Sequence, residues 1–260
     1  MGDYSQNADQ QLKQIDHARH SAERALSLDD KLPEAHTAMA RVHFREQNWQ
    51  GLLSESQRAI ELEPGNAYAL YWMGNTLTAM GNLKQALEYY ERSVAKDPLN
   101  PHVYRILGAA RFAAAQFVGA EEAVRKALDL SPNEHAAHAV LGQVMLATSR
   151  EPESLAEFER DTDDLYRLQG RALALFAMGR KTEAAMTLSE LEQRYGETHS
   201  YEVAAVHAHF GNIDRSFAWL EQARNQNDSS MWTVKTDPFL KNLRSDPRYD
   251  ALLHKMNLPE

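Results

Sequence analysis

A period of 34 residues constrains this chain more than any other feature. Pro64, Pro98 and Pro132 fall one period apart. So do Gly74, Gly108 and Gly142, and so do Asn48, Asn82, Gln116 and Arg150. Three unrelated landmarks in one register mark a supersecondary unit copied along the chain, so the expected core runs along a stack of units. Residues 67–100 show the unit best. Leu70, Met73, Gly74 and Leu77 sit at i, i+3, i+4 and i+7, one face of a first helix. Gly81-Asn82 breaks that helix, and Leu83, Ala86, Leu87, Tyr90 and Val94 form the stripe of a second. Asp97-Pro98 stops it, because proline lacks an N–H and its ring clashes with the preceding turn. Gly74 and Ala86 are small enough to let the two backbones approach, which predicts a tight antiparallel hairpin.

Residues 33–66 form the first full unit, with His36, Met39, Ala40 and His43 on the first stripe and Trp49 at the turn. Residues 67–100 and 101–134 are the most regular. Residues 135–164 begin regularly, with His138, Leu141, Gly142 and Met145, but this unit is four residues shorter. It lacks the closing proline and runs into Asp161-Thr162-Asp163-Asp164, which makes it the expected hinge. Residues 165–196 restore the pattern through Leu168, Ala172, Leu175, Gly179, Ala184 and Leu188. Residues 197–228 do so through Val203, Ala204, His207, Gly211, Ser216, Leu220 and Ala223. Gly196 is expected as a left-handed C-cap.

The two ends differ from the repeats. Residues 1–32 carry one stripe of the second-helix type, Ile15, Ala18, Ala22, Ala25 and Leu26, behind a short polar segment. This is either a capping half repeat or the point at which a longer protein has been cut, and the second reading is preferred. In residues 229–260, Asp237-Pro238 and Asp246-Pro247 each pair an N-cap acid with a proline in the first turn. They predict short helices over 238–244 and 247–256 that cover the end of the stack.

The segments Leu70-x2-Met73-Gly74-x2-Leu77, Ala86-x3-Tyr90 and Pro98, then Tyr104-x2-Leu107-Gly108, Ala120-x3-Val124 and Pro132, carry a family resemblance. They resemble the tetratricopeptide-repeat signature, and the likeness extends over nearly the whole chain. It implies an all-α fold, a right-handed superhelical α-solenoid of six tandem helix–turn–helix repeats with helical caps. It also implies a non-catalytic scaffold that binds a protein partner on a concave surface lined by the first helices. The tail, FAWLEQARNQND and then TDPFLKNLRSDPRYDALLHKMNL, is similar to the C-terminal end of repeat regions in bacterial multidomain signalling proteins. That second likeness implies an alternative: a regulatory or sensory module excised from a transcriptional regulator, a cyclase or a kinase.

The side of each first helix opposite its packing stripe would line the groove. There the second full unit offers Tyr68, Tyr71, Asn75 and Thr78, the unit before it Arg41, Phe44 and Arg45, and the unit after it His102, Arg105 and Phe112. Such a lining is aromatic and basic on a chain of net charge −9. Guanidinium groups pair carboxylates bidentately, and tyrosines give rigid contact area. The candidate peptide-binding residues are therefore Arg41, Phe44, Arg45, Tyr68, Tyr71, Asn75, Arg105 and Phe112, for an extended acidic peptide or a C-terminal carboxylate. The alternative is a solvated face whose cations pair with acids on adjacent helices. Some family members clamp a terminal carboxylate with a Lys/Asn/Arg set. Asn75 matches one clamp position, but Tyr71 and Ile106 do not match theirs, so the clamp is not carried over.

Composition narrows the remaining classes. The chain has no cysteine, which excludes disulfides and thiolate chemistry. Its acidic balance argues against nucleic acid, whose phosphates call for a basic surface. No apolar run approaches the ~20 residues that span a bilayer. The first residues, MGDYSQNADQQ, lack the apolar stretch of a signal peptide, so the cytoplasm is the expected compartment. No phosphate loop or nucleophile–base spacing appears, so no enzyme and no cofactor are expected. His17/His20 and His135/His138 are three apart, but His36, His43, His138 and His207 fall on stripe positions. They read as structural histidines satisfied within the fold, and no metal site is expected. Self-association is compatible with either functional reading.

Overall fold

The computed structural model describes the backbone of residues 3–258 and side chains from residue 13. Its turns show the period most directly. Gln47, Gly81, Ala115 and Ser149 each adopt positive φ, between 54° and 83°, at intervals of 34 residues. The next residue of each turn, Asn48, Asn82, Gln116 or Arg150, donates its N–H to the carbonyl five residues back, at 2.8–2.9 Å. This is the left-handed stop that satisfies the last carbonyls of a helix. Gly179 and Gly211 repeat it at φ 76° and 80°.

The chain divides into two compact units, Met1–Asp97 and Pro98–Glu260. The division falls in the regular stretch and not at the short repeat expected to be the hinge. The first unit contains α1 (Asp3–Leu28), α2 (Pro33–Arg45), α3 (Trp49–Leu62), α4 (Ala67–Ala79) and α5 (Leu83–Lys96). α1 is one helix of 26 residues that runs through both the polar segment and the stripe of second-helix type. α2 with α3 and α4 with α5 form antiparallel hairpins, and α4 also packs on α2 and α3. Asn48, Asn66 and Asn82 cap α3, α4 and α5 by accepting backbone N–H bonds of 3.0, 3.0 and 3.4 Å. The close approach expected of Gly74 is real. A Cβ there would lie 2.4 Å from the Tyr90 ring, which is fully buried.

The second unit contains α6 (Pro101–Ala113), α7 (Phe117–Leu130), α8 (Ala137–Ala147), α9 (Glu151–Arg160), α10 (Asp164–Ala177), α11 (Lys181–Tyr195), α12 (Ser200–His209) and α13 (Ile213–Asn225). They pair in order as four hairpins. Gly108 and Gly142 repeat the role of Gly74 against Val124 and Phe158. The short α9 is anchored firmly. Asp161 just beyond it is buried, and its carboxylate accepts from Ala139 N on α8 at 2.9 Å and from Asp163 N at 3.0 Å. That carboxylate closes the end where a proline was missing. Gly196 corrects an expectation: it is right-handed, with φ −58° and ψ −28°. Glycine is needed there for space, since a Cβ would meet Trp219 at 2.7 Å.

The chain ends in two 3-10 helices, Ser229–Thr233 and Pro238–Leu243, and then α14 (Pro247–Lys255). Asp237 and Asp246 cap the last two through N–H bonds of 2.8 and 2.9 Å. Met231, Val234, Leu240, Leu243 and Leu252 are buried, so this tail contributes to the core of its unit. Among the described residues no helix is long and apolar enough to cross a membrane.

Candidate functional site

In the first unit the first helices α2 and α4 bring together an aromatic cluster. Tyr68, Tyr71 and Trp72 stand at i, i+3 and i+4 and so share one face of α4. Tyr68 and Tyr71 are nearly parallel, with centroids 6.0 Å apart and planes 15° from each other. Both meet Trp72 edge-on, at 6.0 Å and 85° and at 5.4 Å and 70°. From α2, Phe44 meets Trp72 at 5.2 Å and Trp49 at 6.4 Å. Edge-to-face rings suit the aromatic quadrupole, so the contacts within the cluster are favourable. Tyr68 is 49% exposed, whereas Trp72 is buried. The indole Nε1 of Trp72 has no hydrogen-bond partner among the described residues. Arg41 and Arg45, exposed on α2, flank Phe44 in sequence.

Asn75 lies on the next turn of α4, yet it does not line an open groove. It is 2% exposed, and its Oδ1 accepts from the Tyr90 hydroxyl at 2.8 Å. That hydroxyl lies 3.1 Å from Thr78 Oγ1, itself buried. The small Gly74 admits the Tyr90 ring between the helices, and Asn75 and Thr78 satisfy its polar end. The lining role expected of Asn75 is thus replaced by a structural one.

In the second unit Arg105 is half-buried beside Glu134, 3.8 Å away, and His102 lies 3.5 Å from the same carboxylate. Burial, and then the Arg105 charge, lower the His102 pKa. Phe112 is also corrected: it is buried, with ring contacts to Phe117 at 6.2 Å and to Phe239 at 6.1 Å. Phe239 comes from the tail. It packs with Val144 of α8 as well as Phe112 of α6, and meets His209 of α12 edge-on at 5.5 Å. Asn242 donates to the Ala208 carbonyl at 2.7 Å, and the Tyr201 hydroxyl donates to Asp237 at 2.9 Å. The first-helix face of this unit is occupied by the chain's own C-terminal segment.

Carboxylates gather where the tail meets α12. Asp228 accepts from the backbone N–H groups of Tyr201, at 3.1 Å, and Ser230, at 2.9 Å. Glu202 is buried; one oxygen accepts from the Ser230 hydroxyl at 2.6 Å, and the other has no partner among the described residues. Burial, and then the charge of Asp228, raise the Glu202 pKa to about 8. Burial raises those of Asp237 and Tyr201 as well.

The stripe histidines bridge the two helices of a hairpin or neighbouring helices. His36 meets Glu55 at 2.6 Å, His138 meets Glu157 at 2.7 Å, and His207 meets Glu192 at 2.6 Å. Each imidazole is thereby satisfied inside the stack. Sequence reasoning missed Trp72, Tyr201, Glu202 and Phe239. Trp72 could have been found from its i+4 spacing to Tyr68. The others depend on where the tail folds back, which no local pattern states.

Residues 67–100, which hold the α4–α5 hairpin and the tyrosine pair, match the tetratricopeptide repeat family model. That stretch is one tetratricopeptide repeat, and the fold of the chain is the all-α solenoid of such repeats. Among solved structures, a tetratricopeptide repeat protein from Parabacteroides merdae is similar at TM-score 0.65 and 16% identity, over 87% of this chain and 93% of that one. PilW, a widely conserved type IV pilus biogenesis factor, is similar at TM-score 0.64 and 18% identity, over 76% and 92%. MamA from Desulfovibrio magneticus RS-1 is similar at TM-score 0.51 and 24% identity, over 62% and 94%. At these identities the likeness is one of fold. None of the curated proteins matches the chain.

Proposed function

We propose that this repeat protein is a non-catalytic interaction module, and that it holds an extended peptide segment of a protein partner on the first-helix face of its first unit. One observation carries the reading: four aromatic side chains from two first helices, Phe44, Tyr68, Tyr71 and Trp72, contact one another at a face where Tyr68 is 49% exposed. Arg41 and Arg45 supply cations beside it, which favours acidic side chains in the segment. In the second unit the corresponding face holds the tail, so Arg105 is secondary and Phe112 has no part in binding. The tetratricopeptide family consists in general of binding scaffolds, which supports the absence of catalysis. The cytoplasm goes with this reading, and cell fractionation checks it.

The test is selection of peptides from a displayed library of natural disordered segments. Selected peptides are measured by fluorescence anisotropy against the wild-type chain and the Arg41→Ala/Tyr68→Ala variant. Loss of at least tenfold in affinity, about 1.4 kcal/mol, supports the site. Peptides that bind both proteins equally place binding elsewhere and refute it.

A further inference from the structure

Trp72 carries a buried hydrogen-bond donor, its indole Nε1–H, that has no partner among the described residues. Its ring is held by Phe44, Tyr68 and Tyr71, so the donor belongs to the aromatic face and to no core network. Buried polar groups are nearly always bonded, and an exception calls for an explanation in strain, chemistry or an absent ligand. The rings narrow the class of ligand. Two near-parallel tyrosines and an indole roughly perpendicular to them form ridges on which flat, rigid, apolar residues can seat. The indole N–H is a donor only, so it requires an acceptor such as a backbone carbonyl. An extended helix of the polyproline II type offers both. Its prolines stack on aromatic ridges, and its carbonyls make no internal hydrogen bonds and point outward.

We infer that the first-helix face of the first unit binds a proline-rich segment in the polyproline II conformation, with the Trp72 Nε1–H donating to one of its carbonyls. The inference rests on the proposed interaction role and specifies the ligand's backbone. Access requires the rings beside the indole to part, and Tyr68 is the exposed one among them. Arg41 and Arg45 would then read acidic residues at the ends of the proline run, a preference secondary to the backbone.

The probe is a capped decaproline peptide, with a capped ten-residue Gly/Ser peptide carrying two glutamates as control. Both are titrated into the full 15N-labelled chain, and the four tryptophan indole resonances are followed. Saturable movement of the Trp72 indole resonance by decaproline, and not by the control, is expected. Trp72→Phe, which keeps a ring and removes the donor, should weaken decaproline binding five- to tenfold with an unchanged circular dichroism spectrum. The wild-type titration decides the matter even if that variant folds poorly. A Trp72 indole resonance that stays still up to millimolar decaproline overturns the inference. If library-selected peptides still depend on Arg41 and Tyr68 in that case, the interaction role stands and only the polyproline assignment falls. If they do not, both fall.

Discussion

Replacing Glu202 by glutamine should remove most of the pH dependence of the C-terminal tail. In the folded chain this carboxyl is buried between α12 and the Ser229–Thr233 helix, with Asp228 beside it. Tyr201, the neighbouring residue, is bonded to Asp237, so a third carboxyl lies close by. Burial and the Asp228 charge raise the Glu202 pKa from 4.5 to about 8. The folded tail therefore keeps a proton that the opened tail gives up between those values. The stabilisation is whole below about 4.5, declines as pH rises, and is exhausted above about 8. Each pKa unit corresponds to about 1.4 kcal/mol, so the full span is about 5 kcal/mol and the opening equilibrium changes tenfold per pH unit within it.

Local opening, not global melting, is the quantity to read, since a repeat stack does not unfold as a single unit. Hydrogen exchange followed by mass spectrometry on peptides from 229–258, corrected for the intrinsic pH dependence of exchange, reports it. Protection of these peptides in the wild type should fall about tenfold per unit between pH 6.5 and pH 8, above the range in which the buried His209 beside Phe239 takes up a proton on opening. In Glu202→Gln that fall should be lost, leaving Asp237, whose pKa burial raises, acting in the same sense, and His209 under the Phe239 ring, whose pKa burial lowers, acting in the opposite sense below its ordinary value of 6.5. Peptides from α2 to α5 should show the same pH dependence in both proteins. Equal slopes in wild type and variant, or protection that increases with pH, would refute the assignment of a protonated Glu202.

Gly74→Ala should destabilise the first unit by about 1–3 kcal/mol, because the new Cβ would press on the buried Tyr90 ring at 2.4 Å; urea titration followed by circular dichroism measures it. Tyr90→Phe should cost about 1–3 kcal/mol, since it leaves Asn75 buried without its donor. Phe239→Ala should loosen the tail by about 2 kcal/mol, less than the ~3–5 of a fully buried phenylalanine because the ring is only half-buried; hydrogen exchange in 229–258 and at α6 reads it. Ala115→Gly should stabilise by about 0.5 kcal/mol, because Ala115 sits at φ 57° where a Cβ is strained, and a raised melting temperature checks it.

The fold was legible in the sequence because a repeat writes its packing several times over. Gly74, Gly108 and Gly142 each mark the point where a side chain of the second helix passes between two backbones, and any one of them alone would have been ambiguous. The interhelix stop was equally legible at Gly81, but not at Gln47, Ala115 or Ser149, where register and not residue type places the left-handed turn. The candidate site was half legible. Phe44, Tyr68 and Tyr71 follow from helical spacing, which fixes the face a residue stands on. Spacing does not fix what covers that face. Asn75 and Phe112 have the right register and are nonetheless taken up, one by the Tyr90 hydroxyl across the hairpin and the other by Phe239 from a distant stretch of chain. The difference between the two units follows from that. Both expose first helices by the same rule, but in the second the tail fills the face with Phe239 and fastens itself through Asp237 and Asn242. A repeat thus predicts which faces are built alike, and the non-repeating ends decide which of them are covered.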